Sequence, residues 1–323
     1  MSCGCPFLFY FCFFLPKMQF SDTDGDFIVN SLKEQGVGVR YIARNESCAT
    51  QVAFLPVYAS GERACIVVPG ASSVLDVDSL LGEVGLGCRR IDMVREMLWF
   101  NLGYPFELPN MQGSRLVETC AQLKHRSVNV AVSLDLNGAS SSMLTVDPWL
   151  LVSDALPHVC LVHMNWDEAC AFAKKEDVEW MEASTVTVDQ LKTLAQPFLD
   201  KGVAIVTITL GRHGAFVCVH AEKEHVLQQF GVAAPEERFV EEWCATGCVL
   251  AGLPGSGGGG GVDTVGAGDS FVAGMLLFLE RMAAVKKCDV GSLKGGSLSS
   301  MLAHAQRCAG EMIGVGVDGE TKE

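Results

Sequence analysis

The residues best placed to do chemistry are Asp263–Phe271, which read Asp-Thr-Val-Gly-Ala-Gly-Asp-Ser-Phe. Gly266 and Gly268 allow a tight backbone bend. The apolar run Phe271–Leu279 behind them, interrupted by Gly274, predicts a helix that starts at the bend. The first amides of such a helix have no intrahelical acceptor and converge on one point, backed by the positive end of the helix dipole. That point suits an anion whose charge grows during reaction, such as a phosphoryl group in flight. Asp269 stands at its rim, where a carboxylate could accept the proton of an attacking hydroxyl. The plainer alternative is an N-cap Asp in a glycine loop, which a bare Gly-x-Gly-Asp would satisfy equally well.

Such a site needs a scaffold that brings loops together, and the rest of the chain supplies the pattern of one. Four short apolar runs stop at polar or glycine motifs: Met97–Phe100 before Asn101, Val128–Leu134 before Asp135, Val159–His163 before Asn165, and Val203–Thr209 before Gly211. Unbroken apolar runs are what strands buried on both faces look like. Helix-like stretches intervene at Arg115–Lys124, Asp167–Lys175 and Asp189–Lys201. The alternation predicts a doubly wound, mainly parallel sheet whose ligands gather at the carboxyl ends of the strands. Asp and Asn also follow strands simply because they make good turns, so the order of several motifs counts for more than any one. Thr50–Tyr58 and Arg63–Val68, joined by Ala59-Ser60-Gly61, predict a β hairpin. Gly255–Gly261 is a low-complexity connection. It matches a dinucleotide-binding glycine pattern only as any glycine run would, since no ribose-binding acid follows within a βαβ unit.

Asp263–Asp269 closely resembles the Asp-Thr-x-Gly-Ala-Gly-Asp motif of the pfkB, or ribokinase-like, carbohydrate kinases. The resemblance continues upstream in the family's order, through Asn165-Trp166-Asp167-Glu168, Thr209-Leu210-Gly211-Arg212-His213-Gly214, Asp135-Leu136-Asn137 and the helix start Asp22-Thr23-Asp24-Gly25, from about residue 18 to residue 316. It implies transfer of the γ-phosphate of ATP to a hydroxyl of a sugar or sugar-like alcohol, within a ribokinase-like α/β fold carrying a small β lid at about residues 48–70. Asp269 would be the base, and Gly266, Ala267 and Gly268 would build the anion hole. Asn165, Asp135 and Asn137 would lie near the phosphates, while Thr209, Gly211 and Gly214 would contact ATP. Glu168 would hold Mg2+ through water, and Asp263 with the Val265 backbone would neighbour a monovalent cation, K+. The sequence departs from the family pattern at Gly138, where Arg is common, and at its beginning. There, residues 1–17 replace the expected first strand, substrate-binding Asp and Gly-Gly-x-x-Asn segment. This departure leaves two alternatives open, a catalytically silent nucleotide-binding relative and a nucleoside (adenosine-like) kinase.

Composition narrows the partners. The 323 residues, 49% of them apolar, can bury a sizeable core, which excludes general disorder. A net charge of −14 with no dense Lys or Arg run argues against nucleic acid, yet not against a nucleotide held locally by backbone amides and Mg2+. The 14 cysteines are scattered without a Cys-x-x-Cys pair, as expected of reduced core thiols in a cytoplasmic protein. Cys5–Pro16 is strongly apolar but far short of the roughly 20 residues that span a bilayer, so no membrane partner is expected. His220 and His225 lack a third ligand for a metal. His213 in the Gly211–Gly214 turn reads as a solvated loop residue, and Arg212 as a group that could neutralise transition-state charge. A free edge of the lid hairpin could pair with a second copy to give a homodimer.

Overall fold

The computed structural model describes residues 22–39, 42, 47–56, 65–76, 98–125, 130–140, 144–173, 182–252, 266–288 and 296–312. The apolar start at residues 5–16, the hairpin turn at 59–61, the glycine run at 255–261, and Asp263 and Val265 with their expected cation contacts lie outside the described residues. So do Met97 and Val128, the first residues of two expected strands, and the end of the helix expected to reach Lys175. The chain divides into two compact units, residues 1–97 with 107–111, and residues 98–106 with 112–323.

In the first unit, helix α1 (Thr23–Glu34) begins where the sequence motif places it. Asp22 is its N-cap, with Oδ1 accepting from the amides of Asp24 at 3.0 Å and Gly25 at 3.4 Å. The other carboxylate oxygen accepts from the Thr50 amide, tying the helix to the chain that enters the hairpin. Strands β1 (Val52–Phe54) and β2 (Ile66–Val68) pair antiparallel, Val52 opposite Val68 and Phe54 opposite Ile66.

The second unit is built on a six-stranded sheet in the order β3-β4-β5-β6-β7-β8. Its elements follow along the chain as β3 (Trp99–Gly103), α2 (Ser114–His125), β4 (Ala131–Asp135), α3 (Pro148–Val152), β5 (Leu161–Asn165) and α4 (Trp166–Phe172). Then come α5 (Val188–Asp200), β6 (Ile205–Thr209), β7 (Ala215–Val219), α6 (Lys223–Phe230), α7 (Glu237–Thr246), β8 (Cys248–Ala251), α8 (Ala267–Cys288) and α9 (Leu298–Met312). Strands β3 to β6 are parallel, whereas β7 and β8 join antiparallel. The expected parallel sheet is therefore present, with two antiparallel strands added at one edge.

Every residue of β4 and β7 is buried, as unbroken apolar runs require. One face of the sheet carries Ala131, Leu161, Ile205 and Val217 into a core shared with Phe271, Met275 and Leu279 of α8, Met301 of α9 and Trp243 of α7. Helix α5 lies against β6 and β7. It starts at a reciprocal cap, Gln190 N–H on Thr187 Oγ1 and Thr187 N–H on Gln190 Oε1. Strand ends run further than the sequence suggests. Asn101 lies inside β3, and Asp135 and Asn165 are the last residues of their strands instead of the first of their loops.

Candidate active site

Parallel pairing aligns the carboxyl ends of four strands along one edge. In register, Gly103 stands opposite Asp135, Asp135 opposite His163, and Asn165 opposite Thr209. Residues paired in this way share a face. Asp135 and His163 accordingly meet, with Nδ1 of His163 2.8 Å from Asp135 Oδ1 and both side chains almost fully buried. Asp135 Oδ2 accepts from Asn137 Nδ2 at 3.0 Å, so both carboxylate oxygens are engaged within the protein.

The next strand end builds a helix cap. Asn165 Oδ1 accepts from the Glu168 amide at 2.9 Å, and Glu168 Oε2 accepts from the Asn165 amide at 2.8 Å. Glu168 Oε1 takes a further bond from the Gly138 amide at 3.3 Å, linking the loop after β4 to the start of α4. Burial pushes the Glu168 carboxyl up to about 7, helped by the charge of Asp135 and opposed by the amides and His163. A buried carboxylate whose ionised form is disfavoured gains from a neighbouring cation. Among the described residues no cluster of three Asp, Glu, His or Cys side chains could hold a metal alone. Glu168 alone is a donor of the kind that would suit Mg2+, an ion that keeps waters and takes phosphate oxygens beside one or two carboxylates.

The Thr209–Gly214 stretch is a tight turn into β7. Gly211 has φ 56° and Gly214 φ 112°, with the Leu210 amide bonded to the Gly214 carbonyl at 2.8 Å. A side chain at Gly214 would collide with the Ala251 carbonyl of β8, so glycine is required there for packing. Arg212 is exposed, and its Nε lies 3.3 Å from His213 Nε2.

Helix α8 is preceded by Gly266, whose φ of 79° only glycine adopts freely. Its first intrahelical bond runs from the Ser270 amide to the Gly266 carbonyl at 2.9 Å, so the amides of Ala267, Gly268 and Asp269 precede the ladder. Asp269 is partly buried and faces the strand ends. Burial raises its pKa, as does the charge of Asp135, while His163 and a hydrogen bond from the Tyr104 hydroxyl act in the opposite direction. Gly268 approaches His163, whose Cε1 would lie 3.9 Å from a Cβ built there.

Asp135, Asn137, Asn165, Glu168, Gly268 and Asp269 are thus joined by hydrogen bonds, close approach or mutual electrostatics, while Thr209, Gly211 and Gly214 occupy the adjoining strand end. Three participants carried no role in the sequence reading. Gly138 binds Glu168 through its amide, where the family pattern suggested a missing side chain. Tyr104, one residue beyond β3, holds φ 57°, a conformation that costs a non-glycine residue about 1–3 kcal/mol. His163 sits in the middle of a buried apolar run, a placement that was the one available signal.

No protein-family model matches the sequence, and no curated protein matches it either. Solved structures do match the fold, which is the ribokinase-like α/β fold. A ribokinase from Giardia lamblia superposes with a TM-score of 0.60 at 17% identity, covering 92% of this chain and 75% of that one. A fructokinase with bound ATP from Xylella fastidiosa gives 0.60 at 17% identity, covering 91% and 76%. An adenosine kinase from Trypanosoma brucei brucei gives 0.61 at 14% identity, covering 92% and 74%.

Proposed function

We propose that this chain is an ATP-dependent phosphotransferase that phosphorylates a hydroxyl of a sugar or sugar-like alcohol. The observation that carries the reading is the setting of Asp269. It stands in the first turn of α8, beside amides that precede the helical ladder, and its carboxylate is held by Tyr104 at the strand ends. In this reading Asp269 takes the proton of the acceptor hydroxyl as the hydroxyl oxygen bonds to the terminal phosphorus. The bond from that phosphorus to the bridging oxygen breaks, and ADP leaves. The amides of Ala267, Gly268 and Asp269 receive the charge on the phosphoryl oxygens. Glu168 would hold Mg2+ through water, and the ion would neutralise charge on the phosphates. The Thr209–Gly214 turn and Asn165 line the nucleotide side.

The acceptor class includes nucleosides, since an adenosine kinase shares the fold as closely as the sugar kinases do. The reading also comprises a cytoplasmic location and a homodimer through the lid. The cysteines described are all free thiols, and Cys120 and Cys160 are pushed up to about 12 by burial, which leaves them inert. Among the described residues no helix is long and apolar enough to cross a membrane. The test is a screen of pentoses, hexoses and nucleosides with γ-labelled ATP, run on wild type and Asp269→Ala. Wild type is expected to give a labelled product, and the variant to lose turnover about a thousand-fold while still binding ATP. Near-normal transfer by Asp269→Ala would overturn the role of the carboxylate.

A further inference from the structure

His163 is buried together with Asp135 on the face of the sheet that α8 covers. Its Nδ1 is committed to Asp135 at 2.8 Å, and its plane is flanked by Phe271 with ring centroids 5.5 Å apart at 34°. Among the described residues Nε2 has no hydrogen-bond partner although it is buried. A purely structural Asp–His pair would satisfy both ring nitrogens, because a buried polar atom left alone costs stability. The ring's Cε1, adjacent to Nε2, faces Gly268, where no side chain intervenes before the first amides of α8.

We propose that His163 is a further substrate-contacting residue, donating Nε2–H to an oxygen of the phosphoryl group that ATP transfers. The proposal rests on the phosphotransferase reading and extends it. In this arrangement Asp135 acts as a positioning residue for the ring. One oxygen holds His163 and the other holds Asn137, so its effect on the substrate passes through the imidazole. A donor with positive charge is what this place lacks otherwise. Three carboxylates surround the ring, Asp135 on β4, Glu168 on α4 and Asp269 on α8, and a polyanionic substrate entering among them needs a counter-charge. Burial works against the imidazolium, but Asp135, through charge and hydrogen bond, outweighs it with help from Glu168 and Asp269, and the ring is held above its ordinary pKa. The proton stays on Nε2 throughout, and the proton of the acceptor goes to Asp269. Exposed Arg212, with its Nε on His213, is not needed for this role.

The test is calorimetric binding of ATP and ADP, each with Mg2+, to wild type and to His163→Gln. Wild type is expected to prefer ATP. The variant should lose about ten-fold or more in affinity for ATP while its affinity for ADP stays within about two-fold, since the contact is to the phosphate that ADP lacks. An ATP-to-ADP ratio unchanged in the variant overturns the role of His163 and leaves the phosphotransferase reading standing. Failure of wild type to bind either nucleotide overturns both. A second measurement needs no variant to fold: imidazole 15N spectra of wild type should show a protonated Nε2 that shifts with ATP and not with ADP. Absence of any ATP-specific histidine response would also overturn the proposal.

Discussion

Asp269 is asked to do two things that conflict. A base must be ionised at working pH, yet burial and the negative charge of Asp135 favour its protonated form. The Tyr104 hydroxyl is a local remedy, because a hydrogen bond donated to a carboxylate stabilises the ionised state. Tyr104 reaches that position from a left-handed backbone conformation fixed by its own amide, which donates to the Asp135 carbonyl at 3.1 Å. Turnover should therefore fall on acidification through a pKa above the ordinary carboxylate range, with the ionised base dominant only on the alkaline side. In Tyr104→Phe the favourable bond to the ionised form is gone, so the acid limb of the kcat profile is expected to move to higher pH. At alkaline pH, where the base is ionised regardless, the rate should approach that of wild type. A pH–rate series on both proteins checks this, and an unmoved limb would remove Tyr104 from the site.

At the scale of elements, what was legible and what was not divide along a physical line. The parallel strands and α1, α2, α4 and α5 could be read because burial on both faces, amphipathic periodicity and caps such as Asp22 and the Asn165/Glu168 pair are written in adjacent residues. Strands β7 and β8 could not. In sequence Gly211 and Gly214 read as a turn near a nucleotide, whereas the structure shows them closing the β6–β7 hairpin, and β8 is a short, half-buried run with no period. The His163–Asp135 pair was equally hidden, since it depends on the register between strands 28 residues apart. The crossing of α8 and α9 belongs to this unreadable class. A Cβ at Gly274 would lie 2.8 Å from the Ala305 Cα and 3.0 Å from Cys308, so the two helices touch backbone to backbone there. Alanine at this site gains helix propensity but forces the helices apart, and overpacking costs about 1–3 kcal/mol. Gly274→Ala should lower the urea midpoint. It should also reduce turnover, because the displaced helix carries Asp269, and paired denaturation and activity measurements test the coupling.

The molecule as a whole combines a well-packed α/β unit with a first unit whose described sheet has two strands. An isolated two-stranded ribbon is marginal in water and needs a surface to pack on. Register puts Val52, Phe54, Ile66 and Val68 on one face, and Phe54, Ile66 and Val68 are 57%, 56% and 49% exposed. A second copy would present the same patch, and a two-fold axis lets an apolar patch cover itself without a dedicated partner. The chain's net charge of −14 opposes close approach of two copies, so association must rest on apolar burial at a local patch. Wild type is therefore expected to sediment as a dimer whose population rises with concentration and with added salt. Ile66→Glu places a charge in the middle of the patch and should give a monomer at the same concentration. The urea midpoint of the α/β unit should stay unchanged, because Ile66 belongs to the other unit. Sedimentation velocity across concentrations decides the matter: a wild type that remains monomeric, or an Ile66→Glu variant that still dimerises, would exclude the ribbon as the contact.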